Sequence, residues 1–216
     1  MIIVLDTNIW LSELALNSAA GSALRFFIKH RGDRLAIPEV VRLEVRHNLR
    51  RVILDAMEDT RRGHRQLLAL FGSMKELVLP TEVEVDTLIE RVLGQVGVST
   101  IDVPFVLESA RASFMKTISK TSPSDRTQEF KDGVLWADCI TLLDQDDVLL
   151  ATADRAFYAD RNYERGLASS LAKEVASSAH QLSLVPSVSE VLEQVGSEMS
   201  FDTAWLARAL ADEVRS

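Results

Sequence analysis

The sequence predicts an α/β sandwich, a three-layer arrangement with helices on both sides of a mostly parallel sheet of about five strands. Two observations carry this expectation. Ile2–Leu5 and Val148–Ala151 are short apolar runs without alternation, the pattern of strands buried on both faces. Longer stretches with apolar residues at helical spacing separate the strand candidates, as when crossover helices join parallel strands.

The elements follow in order. After Ile2–Leu5, helical spacing runs from Leu14 to Lys29 through Leu24, Phe27 and Ile28. Arg34–Ile37 reads as the second strand, and Pro38 stands where a helix would begin, a position that suits proline. The helical pattern then holds from Val40 to roughly Gly72, with Leu43, Leu49, Ile53 and Leu54. Leu77–Leu79, closed by Pro80, is the third strand candidate. Thr81 and Glu84 have the spacing of a capping box ahead of Leu88, Ile89 and Val92. Pro104 is expected to open a helix carrying Leu107, Ala110 and Phe114, and the polar stretch Ser119–Gln128 reads as a loop. Phe130–Leu143 is helical, Val148–Ala151 is a strand, and Leu182–Val185 is the last strand. Ser187 and Glu190 form a second capping pair. These elements make one domain over 1–195, followed by an amphipathic helical tail over 196–216.

Composition narrows the classes. The single cysteine, Cys139, excludes an internal disulfide framework and fits a reducing, cytoplasmic setting. No apolar run approaches the roughly 18 residues of a membrane span, and the N-terminal run is too short for a signal peptide, so no membrane association is expected. The net charge of −8 counts against nucleic acid as a partner unless several carboxylates hold metal ions, because bound cations invert the local field.

Ligands of open α/β sheets collect beyond the carboxyl ends of the strands. Asp6 immediately follows the first strand, in Leu5-Asp6-Thr7-Asn8, and Asp154 follows the fourth, in Ala151-Thr152-Ala153-Asp154. Each taken alone is a cap or turn residue; two at one rim are less ordinary. Glu44 falls about two turns into the helix after Pro38, and Asp132 falls near the start of the helix from Phe130. Their bland readings are an exposed helix glutamate and a carboxylate that favours the helix dipole.

In combination these segments resemble the PIN domain: Asp-Thr-Asn after a first strand, Pro-x-Val-Val-x-x-Glu after a second, Lys-Asp-x-x-Leu-Trp on a later helix and Thr-x-Asp-x-x-Phe after the fourth. The resemblance runs from Met1 to about Glu193. It implies a central first strand and an acidic quartet of Asp6, Glu44, Asp132 and Asp154 that binds Mg²⁺ or Mn²⁺ and hydrolyses RNA phosphodiesters. It leaves open a toxin with a cognate antitoxin, another protein partner, and a homodimer. The stretch from Glu44 to Asp132 is longer than the smallest members need and is read as a helical insertion. The asparagine often found before the last acid is Ala153 here, which makes Asp154 the weakest member of the quartet.

Hard oxygen ligands select such ions over zinc. Asn8 and Thr152 are candidates to orient Asp6 and Asp154, with ordinary capping as the competing role. Arg46 and Lys131 neighbour site acids and are the candidate RNA contacts, whereas the remaining arginines of Arg42–Arg65 read as a solvated, paired face. Trp10 and Trp136 read as packing residues before base-stacking ones. Asp138, six positions after Asp132, lies about 240° round a regular helix and should face elsewhere. The rival of a different class is a PIN-like fold without catalysis, acting as an RNA-binding or protein-interaction module. A haloacid-dehalogenase-type phosphatase would want an aspartate where Asn8 stands.

Overall fold

The structure, a computed structural model, describes residues 1–197. Five parallel strands form one sheet in the order β3-β2-β1-β4-β5. They are β1 (Ile2–Leu5), β2 (Arg34–Pro38), β3 (Thr100–Val103), β4 (Val148–Ala151) and β5 (Leu182–Val185). Helices cover both sides: α1 (Thr7–Ser12), α2 (Ala19–Arg31), α3 (Glu39–Phe71), α4 (Glu82–Gly94), α5 (Leu107–Ser119), α6 (Phe130–Leu142), α7 (Ser169–Val175) and α8 (Val188–Ser197). The helical tail expected over 196–216 lies, from 198 on, outside the described residues.

β1 is central, as the family resemblance implies. Every residue of β1 and β4 is buried, which is why both read as unbroken apolar runs. β1 pairs with β2 in the register Ile3↔Leu35 and with β4 in the register Ile3↔Leu149. The chain builds outward from β1 to β2 and β3, then returns to build β4 and β5 on the other side. The reversal opens a crevice beyond the carboxyl ends of β1 and β4. Asp6 and Asp154 stand at that crevice.

Three expectations need correction. The third strand is Thr100–Val103, not Leu77–Leu79. β3 is an edge strand with β2 as its one partner among the described residues, so Thr100 and Asp102 face solvent and no apolar run marks it. Leu77 and Leu79 turn inward without forming a strand, while Val78 stays 84% exposed. Pro104 does not open a helix. Phe105 N–H donates to Glu39 Oε2 at 2.8 Å, and α5 starts only after Val106, which is itself extended and makes no side-chain cap. The helical spacing from Leu14 begins too early. Leu14, Ala15 and Leu16 have φ of 50°, 53° and 65°, a left-handed turn between α1 and α2. Ser18 then caps α2 by accepting from Gly21 N–H at 2.9 Å. A side chain on Gly21 would collide with the Leu16 backbone, so this close approach requires glycine.

The long helix from Pro38 is present over Glu39–Phe71 and pairs with α4 as the expected helical hairpin. Its partner α4 starts with the complete Thr81/Glu84 capping box. At α8, Ser187 Oγ accepts from Glu190 N–H at 3.3 Å. Trp10 and Trp136 are 1% and 0% exposed and belong to the core.

Candidate active site

The site begins with the end of β1. Asp6 N–H donates to Ala151 O at 2.9 Å, continuing the β1–β4 ladder by one rung. Its carboxylate is 6% exposed and caps α1: Oδ1 accepts from Thr7 N–H at 2.6 Å. Oδ2 accepts from Asn8 Nδ2 and from Thr152 Oγ1, both at 2.6 Å. Burial pushes the Asp6 carboxyl above the usual range, and the charge of Asp154 pushes the same way against these hydrogen bonds.

Thr152 ties the two strand ends together. While its hydroxyl donates to Asp6, it accepts from Asp154 N–H at 3.0 Å. Its carbonyl accepts from the buried Tyr158 hydroxyl at 2.9 Å. Asn8 makes a second bridge, because Asn8 Oδ1 accepts from Ala153 N–H at 3.1 Å. Asp154 Oδ1 in turn accepts from Ala156 N–H at 2.7 Å and starts a short 3-10 turn over Arg155–Phe157. The capping and clustering readings of Asp6 and Asp154 therefore describe the same geometry.

The third acid comes from α6. Asp132 lies in its first turn and faces Asp154 within hydrogen-bonding reach. Its carboxyl is held far above the ordinary range, first by burial, then by the charges of Asp6 and Asp154. Glu129, three residues earlier, adds to the repulsion.

Glu44 reaches this cluster through an intermediary. Thr7 Oγ1 donates to Glu44 Oε2 at 3.0 Å, and Lys131 Nζ pairs with Glu44 Oε1. Thr7 and Glu129 are the two residues that the sequence reading did not single out. Thr7 was readable as the residue next to Asp6, and Glu129 as an acid one turn before Asp132.

Lys131 thus stands at the rim, whereas Arg46 does not. Arg46 Nε pairs with Glu90 Oε1 of α4 at 2.8 Å, because two residues from Glu44 is more than half a turn round the helix. Arg42 pairs with Asp102, and Arg50 with Glu82 and Asp86. This basic stripe belongs to the α3–α4 hairpin and the sheet edge. Asp138 faces α5: its Oδ1 accepts from Ser109 Oγ at 2.8 Å, and its buried Oδ2 has no hydrogen-bond partner among the described residues.

The donor chemistry suits a hard divalent cation. Asp6, Asp132 and Asp154 crowd together, and two unit charges about 4 Å apart repel by roughly 4 kcal/mol at an effective dielectric near 20. Among the described residues, no three His, Cys, Asp or Glu groups are drawn into a ready-made metal-binding set. Both Asp6 oxygens, both Glu44 oxygens and Asp154 Oδ1 are engaged by internal donors, and the Lys131 ammonium supplies the cation at Glu44. A metal ion would compete with these partners.

The comparison with known families comes to the same region. A family model described as a PIN domain matches residues 3–157, which include Asp6, Glu44, Asp132 and Asp154. No curated protein and no solved structure matches the chain. No helix among the described residues is long and apolar enough to cross a membrane.

Proposed function

This chain belongs to the PIN-domain family, a family that is generally nuclease-like, and from that premise we propose that it is a divalent-metal-dependent endoribonuclease. The observation that carries the reading is the crowding of Asp6, Asp132 and Asp154 at the ends of β1 and β4 and the start of α6, with Asp6 raised by burial and the charge of Asp154, and Asp132 by burial and the charges of Asp6 and Asp154. Natural folds rarely bury like charges together without something to neutralise them.

Asp6, Asp132 and Asp154 would hold Mg²⁺ or Mn²⁺, with Glu44 as the outer member. When bound, the ion would offset the phosphate charge and make an attacking water a better nucleophile. The chain's own residues set the geometry. Thr152 and Asn8 hold the Asp6 carboxylate between the two strand ends. Lys131, which pairs with Glu44 at the rim, would exchange that partner for a phosphate oxygen. Water adds to phosphorus as the P–O bond to the leaving ribose oxygen breaks, and a proton from the water ends on that oxygen, giving one phosphate end and one hydroxyl end.

Cleavage of single-stranded RNA with Mg²⁺, Mn²⁺ or EDTA, comparing wild type with Asp6→Asn, tests the proposal. The expected result is metal-dependent cleavage that Asp6→Asn abolishes. The catalytically silent alternative, an RNA-binding or protein-interaction module, predicts no cleavage with either ion.

A further inference from the structure

Next to the acid cluster lies an open cavity of about 500 Å³, on the far side of Glu44 and Lys131. One wall is a single face of α3. Val40, Leu43, Glu44, His47 and Asn48 are spaced so that all line one stripe of that helix. Phe105, in the segment between β3 and α5, also lines the cavity. Leu43 and Phe105 remain 55% and 45% exposed.

Phe105 is not loosely placed. Its N–H donates to Glu39 Oε2 at 2.8 Å, which ties the segment to the first residue of α3. The result is a mostly apolar slot with an aromatic wall and a few polar groups, the usual make-up of a small-ligand site. Of the charged side chains at the slot, Lys131 and Glu44 are paired with each other, which leaves the Glu39 carboxylate to oppose a phosphate there, whereas a neutral, flat group meets no such repulsion. Glu44 and Lys131 border both the slot and the cluster, so one ligand can span the two.

We infer that this slot is a nucleobase subsite. It takes one unpaired base of the nucleotide beside the phosphodiester that lies over the acids. The base stacks on Phe105 against Val40 and Leu43, with its polar edge toward His47 and Asn48. A base inside a duplex cannot reach such a wall, so the subsite selects single-stranded RNA. The inference rests on the nuclease reading above.

The test measures binding of a fluorescent single-stranded RNA hexamer in EDTA, and its cleavage in Mn²⁺, for wild type, Phe105→Ala and Phe105→Trp. Phe105→Ala is expected to weaken binding roughly five- to 150-fold, the range of one lost base–aromatic stack. It should raise KM with little change in kcat, and Phe105→Trp should restore both. Removing the base from one position of the hexamer should lower wild-type affinity by a similar factor and leave Phe105→Ala indifferent. If wild type and Phe105→Ala bind and cleave alike, the subsite is wrong and the nuclease reading stands. If the wild type neither binds nor cleaves RNA, the nuclease reading falls and takes the subsite with it. If Phe105→Ala instead converts a dimer to monomers in sedimentation while RNA affinity is unchanged, the wall is a self-association face and the subsite is overturned.

Discussion

Two aspartates on α6 are both raised above the ordinary carboxylate range, for different reasons. Asp132 is buried among other acids, so burial and the charges of Asp6 and Asp154 act together. Asp138, on the side of the helix that meets α5, is raised to about 6 by burial alone, and the hydrogen bond from Ser109 works against the shift. The contrast separates two meanings of a perturbed acid. Repulsion among several carboxylates can be relieved by one divalent ion shared between them. A lone buried carboxyl has no such remedy and simply takes up a proton. Burial is the first cause at both positions, and only at Asp132 do neighbouring acids add to it in a way that one shared ion could relieve.

The largest expected effect comes from breaking the cluster side of that contrast. Asp6→Asn keeps the size of the side chain and removes its charge, and RNA cleavage should fall by roughly two or more orders of magnitude. Metal-free stability at neutral pH combines two opposed changes: one repelling charge goes, and an amide nitrogen replaces an oxygen that accepts from Thr7 or from Asn8 and Thr152. Asp138→Asn, measured in the same assay, should cleave at the wild-type rate. Wild-type activity in Asp6→Asn together with easier unfolding would reduce Asp6 to a helix cap, whose loss typically costs about 1 kcal/mol.

Metal dependence comes next. Because the folded-state pKa of Asp132 lies above its unfolded value of about 4, its stabilising contribution is complete below that value and is lost as pH rises through the folded-state pKa. The metal-free protein should thus lose stability toward alkaline pH. Mn²⁺ at about a hundred times its Kd should restore on the order of 2–3 kcal/mol at pH 8, and much less at pH 5. Thermal unfolding in EDTA and in Mn²⁺ checks this, and an unfolding midpoint indifferent to the ion at pH 8 would remove the metal from the proposal.

A smaller effect concerns the packing that places Asp132. Gly133 presses against Ser113 of α5, whose hydroxyl donates to Phe130 O at 2.6 Å, and an added methyl would collide with the Ser113 side chain. Gly133→Ala should destabilise by about 1–3 kcal/mol in urea unfolding, the usual cost of overpacking. The smallest effect is at Asp138. Its raised pKa makes folding less favourable as pH rises from about 4 to about 6. Asp138→Asn should abolish that slope and raise stability at pH 7 by on the order of 1 kcal/mol once solvent screening is allowed for. An unchanged slope between those pH values would show that Asp138 is not the group responsible.

Strands β1, β2, β4 and β5, the helical hairpin and the order of the acids along the chain were legible from the sequence alone. The reason is physical: β1 and β4 are buried on both faces, and double burial leaves an unbroken apolar run that no loop imitates. Asp6 and Asp154 could be placed at one rim because they directly follow two such strands. β3 was not legible, because an edge strand with one partner need be apolar on one side only, and Thr100-Ile101-Asp102-Val103 satisfies that without standing out. Nor could sequence spacing decide which neighbours of the acids share the site. Lys131 and Arg46 each lie within two residues of an acid, yet helix rotation and the position of α4 bring Lys131 to Glu44 and turn Arg46 to Glu90. The link through Thr7, the shared hydroxyl of Thr152 and the slot beside Phe105 all join groups from separate elements. Local sequence carries burial and capping, but contacts across elements exist only once the chain has packed.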